Sequence, residues 1–135
     1  MKITLNNKEY TIKFGYAPVL KNGFIKDVSR ALSDNESIEN ILLFLPHALL
    51  IGLQVNHSDE FGFANEQEKA EQENKLLEML GNEVDNDNIN CLELYWQIVK
   101  ELEENSFLKQ MLEKEMQKQQ KLPAKKQKTL KAVEN

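Results

Sequence analysis

Residues 38–55, reading IENILLFLPHALLIGLQV, put apolar side chains on nearly every side of any helix they form. Such a segment is either core or a groove for a partner, with core the default. It is normally the buried centre of a bundle, and the rest of the chain must supply amphipathic elements to cover it. Its densest part, Ile41 to Leu53, is 13 residues long. A bilayer crossing needs about 20, so this run predicts a core helix and not a membrane span. Pro46 lacks an amide hydrogen and restricts Leu45 before it. A kink there, or a second helix starting there, is expected.

The flanking sequence fits that role. Residues 2–14 alternate: Ile3 and Leu5 share one face, and Tyr10, Ile12 and Phe14 share one face beyond the turn residues Asn6-Asn7-Lys8-Glu9. Period 2 on both sides of an Asn-rich turn predicts a β-hairpin. A lone hairpin is marginal in water, so its apolar face must rest on the helices. The polar turn so soon after Met1 also argues against a secretory leader. Residues 17–32 have a helical pattern (Val19, Leu20, Phe24, Ile25, Val28, Leu32), with Pro18 suited to a first turn and a break at Asn22-Gly23. A loop over residues 33–37 leads to Ser37 as a helix cap. Asn56 to Asn65 reads as a polar loop carrying Phe61 and Phe63. Glu66 to Leu80 reads as a helix with a thin apolar edge, ended by Gly81. Asp87 or Asn88 then caps a helix with the stripe Ile89, Leu92, Tyr95, Trp96, Val99 and Leu102. Asn105-Ser106 either caps a last helix or is passed by one long helix that runs through. The fold class expected is α+β, mainly α-helical, with an N-terminal β-hairpin packed on a helical bundle. It forms a single domain over residues 1–120, followed by a basic tail over residues 121–135 with little that can pack.

Charge is unevenly spread. The chain carries a net −5. Residues 59–104 hold 14 Asp/Glu against 3 Lys, a net −11, whereas residues 117–135 hold 6 Lys against 1 Glu, a net +5. An acidic body argues against a nucleic-acid binder, which needs clustered Lys and Arg on its surface. The Lys-rich tail has no aromatic residue for base stacking. The single cysteine, Cys91, cannot make an intrachain disulfide, and its acidic surroundings disfavour a reactive thiolate. It is expected to be a small buried side chain. His47 and His57 have no ligand partners at metal-binding spacing. His47 is read as a helix residue beside Pro46, and His57 as a loop residue. The run Asp85-Asn86-Asp87-Asn88 lacks the glycine and glutamate of a calcium loop, having Asn90 and Trp96 at the sixth and twelfth positions. No phosphate loop, dinucleotide fingerprint or nucleophile elbow occurs. Neither a catalytic residue, a cofactor nor a metal is therefore expected, and the protein is read as a non-enzymatic binder of other proteins. The residues expected to bind a partner, or a second copy in a homo-oligomer, are Phe107, Leu108, Met111, Leu112 and Met116. They form a Met-containing stripe on the last helix, where few neighbours remain to cover it, the alternative being that the stripe simply docks on the bundle.

The opening Met1-Lys2-Ile3-Thr4-Leu5-Asn6-Asn7-Lys8-Glu9-Tyr10-Thr11-Ile12-Lys13-Phe14-Gly15 resembles the start of tail assembly chaperones from long, non-contractile-tailed phages of Gram-positive bacteria. Those proteins begin with a short hairpin ending in a Lys-Phe-Gly-like step, then continue with a helical body, an acidic middle and a charged end. The resemblance is one of layout over most of the chain, and Pro18 and Gly23 depart from it by making the first helix less regular. It implies a protein of the host bacterial cytoplasm, used in morphogenesis and absent from the mature virion. It implies as partners the tape measure protein, which it keeps soluble, and the tail tube protein that polymerises around it. It also implies a frameshifted longer form, with Lys125-Lys126 compatible with an A-rich slippery stretch. The competing reading is a small phage or plasmid regulatory protein acting through its basic C-terminal tail.

Overall fold

The structure, a computed structural model, describes residues 1–31 and 37–121, with the side chains of Ala31, Leu112 and residues 115–121 left out. Two strands, β1 (Lys2–Leu5) and β2 (Lys8–Thr11), pair antiparallel, and Ile3 sits opposite Tyr10. Asn6 and Asn7 form the two-residue turn with φ of 52° and 65°. Two successive positive φ values match the twist of paired strands, and asparagine tolerates them well. Ile3, Leu5, Tyr10, Ile12 and Phe14 are all buried, as the alternation predicts.

Helices α1 (Tyr16–Lys21) and α2 (Phe24–Ala31) follow. They break at Gly23, whose φ of +62° is a left-handed conformation that glycine adopts at no steric cost. Helix α3 (Ile38–Leu53) starts at Ser37, whose Oγ accepts the Asn40 amide hydrogen at 3.1 Å. It continues as one helix through Pro46, so no second helix starts there. The missing bond and the ring clash at an interior proline cost about 3 kcal/mol. Burial of every residue from Phe44 to Leu53 except His47 offsets that.

Helix α3 is the centre of the molecule. It packs against α2, the short α4 (Ser58–Phe61), α5 (Glu66–Asp85), α6 (Cys91–Glu104) and β2. The hairpin rests on its end: the Lys13 amide donates to the Gly52 carbonyl at 2.9 Å. A Cβ on Gly52 would lie 2.5 Å from Ile12 Cγ2, so glycine is what lets the two backbones approach. An aromatic stack ties the layers together. Phe14 stacks on Phe24 at 5.5 Å, Phe24 on Phe44 at 5.8 Å, and Phe44 meets Tyr95 edge-on at 6.3 Å. The chain is thus α+β and mainly helical.

Three expectations are corrected. The polar loop contains a helical turn, α4, which buries Phe61; the Gln54 and Gln72 carboxamides hold its carbonyls at Phe61, Glu60 and Gly62. Helix α5 runs past Gly81 to Asp85, because Val84 adds one more apolar contact with the core and Asp87, at φ 61°, supplies the left-handed residue that ends it. The cap of α6 is Asn90, which accepts the Glu93 amide hydrogen at 3.0 Å, in place of Asp87 or Asn88. The expected basic tail lies outside the described residues from Leu122 onward.

Helix α7 (Ser106–Lys121) packs on α2 and α6. Asn105 sets its entry twice over. Its Oδ1 accepts the Leu108 amide hydrogen at 3.0 Å, and its Nδ2 donates to the Phe14 carbonyl at 3.1 Å. Asn105→Ala is expected to remove about 1 kcal/mol through the lost cap. Protection of the α7 amides in hydrogen exchange should fall first, and unchanged protection there would contradict this role.

Candidate functional site

Two features stand out. The first is a cleft of about 450 Å³ between α2, α3 and α5. On its wall the His47 ring meets two carboxylates: Nε2 lies 2.9 Å from Asp27 Oδ2 and Nδ1 lies 2.7 Å from Glu73 Oε2. The ring also stands edge-on to Phe24 at 5.5 Å. Burial pushes the imidazole pKa down, but the hydrogen bond and charge of Glu73, then those of Asp27, outweigh it and leave the pKa above its ordinary 6.5. The His47 hydrogen bond in turn holds the Glu73 carboxyl below its ordinary range, against its burial. The sequence reading of His47 as a plain helix residue missed this. Its partners lie 20 residues before and 26 after it, and no local spacing reveals them.

Chemically the arrangement is a pin. A carboxylate occupies each ring nitrogen, so the three groups cannot face one metal ion together. Among the described residues no cluster of three or more His, Cys, Asp or Glu could hold a metal. Arg30, Asn40 and Lys69 also line the cleft, and among the described residues no hydroxyl or thiol lines it. His57 is likewise bound into the fold, its Nε2 accepting the Thr11 amide hydrogen at 3.0 Å. Cys91, expected to be buried, is half-buried at the start of α6 and packs against the core.

No protein-family model, no curated protein and no solved structure matches this chain. Among the described residues no helix is long and apolar enough to cross a membrane.

The second feature is apolar surface. Ile38, Leu42 and Leu43 stand exposed on the first half of α3, Leu77 on α5, and Leu92 and Trp96 on α6. The sequence stripe on α6 placed Leu92 and Trp96 in the core. The buried face is instead Leu94, Tyr95, Ile98, Val99 and Leu102, which leaves Leu92 56% and Trp96 63% exposed. The expected stripe on α7 is divided. Leu108 is fully buried in the core, and Phe107 is half-buried with its ring 4.9 Å from Tyr16, so both hold α7 on the bundle. Met111 reaches the surface, 38% exposed. The side chains of Leu112 and Met116 lie outside the described residues.

Proposed function

We propose that this chain is a non-enzymatic tail assembly chaperone. It holds the tape measure protein of a long-tailed phage in soluble form, in the host bacterial cytoplasm, while tail tube protein assembles around it, and it is not retained in the virion. The observation that carries the reading is the coexistence of large exposed apolar side chains on packed helices with a body of strongly negative charge. Scattered exposed apolar residues are normal on a protein surface. Leu92 with Trp96, and Ile38 with Leu42, are each one helical turn apart and form ridges.

Such ridges suit a client that is itself a long helix with an apolar stripe. Each contact is small, so the client is held by many weak contacts and released when a competitor arrives. Like charge on every bound copy keeps coated clients from sticking together. The resemblance of the N-terminal hairpin and its Lys13-Phe14-Gly15 step supplies the identity of the client.

Co-expression of the full chain with a tape measure fragment is expected to move that fragment from the insoluble to the soluble fraction, with the two proteins co-purifying. A fragment that stays insoluble and does not co-purify would overturn the chaperone reading.

A further inference from the structure

The geometry points to the Leu92–Trp96 flank of α6 as a docking ridge for a basic amphipathic helix of another protein. The assignment rests on the holding role proposed above and names the chemistry of the segment held.

Trp96 is a prepared anchor. Its ring lies against Tyr95 at 5.2 Å, and Tyr95, 5% exposed, lies in turn against Phe44 of the core. The two rings meet edge-on, so the indole is held at one contact while most of it stays exposed. Tryptophan in that position contributes a large contact area with few rotatable bonds, the profile of an interface hot spot. Leu92, one turn earlier on the same side, extends the apolar strip.

Charge selects the partner. The exposed positions of α6 carry Glu93, Glu103 and Glu104 against Lys100, and Asp85 and Asp87 are exposed just before the helix. A segment lying along this flank is favoured when Lys or Arg border its apolar residues, and an arginine over the indole face gains a cation–π contact as well. The same acids repel an anionic membrane surface. Backbone chemistry selects a helix. The amides and carbonyls in the body of α6 are already paired within it, so it offers none to a partner's backbone. An extended segment would bury its own polar backbone unpaired, whereas a helix satisfies its own.

Trp96 is the only tryptophan, so the emission of the full chain reports on this one site. The probe is a synthetic helical peptide of about 18 residues, five turns, with leucines at four-residue spacing and Lys/Arg borders. Its control has the same leucines and Glu borders. The basic peptide should shift the emission to the blue saturably, and the shift should weaken steeply as salt shortens the screening length from about 30 Å to about 3 Å. With a labelled peptide, Trp96→Ala should bind about 30-fold or more weakly. Glu93→Gln with Glu103→Gln should weaken binding while leaving far-UV circular dichroism unchanged.

Equal response to the acidic peptide, or full binding by Trp96→Ala, overturns the ridge. So does blue emission of the chain alone that salt relieves, the mark of its own basic tail in the site. A blue shift that grows with protein concentration also overturns it, since a second copy is then the occupant. Solubilisation of a tape measure fragment that survives Trp96→Ala overturns the ridge and leaves the holding role standing. Peptide binding at Trp96 by a chain that solubilises no fragment supports the ridge and overturns that role.

Discussion

Phe24→Ala is expected to lower the stability of this protein by about 3–5 kcal/mol. Phe24 is completely buried at the first position of α2, and its ring is stacked between Phe14 and Phe44 with His47 at its edge. One side chain thus joins the end of the hairpin, α2 and α3. Truncation leaves a ring-sized void that none of these elements can fill alone. Net stabilities of single domains run to about 5–15 kcal/mol, so the loss is a large share of the total. With a urea slope of about 1–3 kcal/mol per molar, the unfolding midpoint should fall by about 2 M. Trp96→Ala, an exposed truncation, should stay within about 0.5 kcal/mol. A Phe24→Ala midpoint close to that of the Trp96 variant would show that the ring stack does not hold the core.

The same contrast shows how far the sequence could be read. The central helix was legible in part: α3 is buried from Phe44 onward apart from His47, as an all-round apolar segment leads one to expect, whereas Ile38, Leu42 and Leu43 in its first half face solvent. The hairpin was legible because period 2 and two turn asparagines act locally, and so was the break at Gly23. The faces of α6 were not. Leu92, Leu94, Tyr95, Trp96, Ile98, Val99 and Leu102 span a wider arc than the neighbours cover, and periodicity alone cannot say which edge stays wet. Leu92 and Trp96 are that edge, and the candidate ridge became visible only once Leu94 and Ile98 were seen inside. On α7 one position of the stripe differs in the opposite sense. Leu108 looked free near a chain end, but α7 folds back on α2 and α6 and buries it. The His47 pin was beyond local reading altogether, since it joins three helices far apart in sequence.

That pin carries the second large effect, which is pH-dependent. A neutral imidazole has one N–H, and both of its neighbours here are acceptors. Only the protonated ring can donate to Asp27 and Glu73 at once. The folded pKa of His47 therefore lies above its ordinary 6.5. The stability it contributes is fully present below about 6.5 and is lost as the pH rises through the raised folded value. Glu73 is shifted down, so its share is present above its ordinary 4.5 and is lost as the pH falls through the lowered folded value. Arg30, Glu66 and Lys69 line the same cleft beside the ring. His47→Leu leaves two part-buried carboxylates without their shared donor. About a third of each stays in water, so the loss near pH 6 is about 1–2 kcal/mol. Urea titrations of both proteins from pH 5 to pH 9 should show this gap widest at pH 5–6 and narrowing at alkaline pH. A gap of constant size across that range would mean that the imidazole is neutral in the fold and pins nothing.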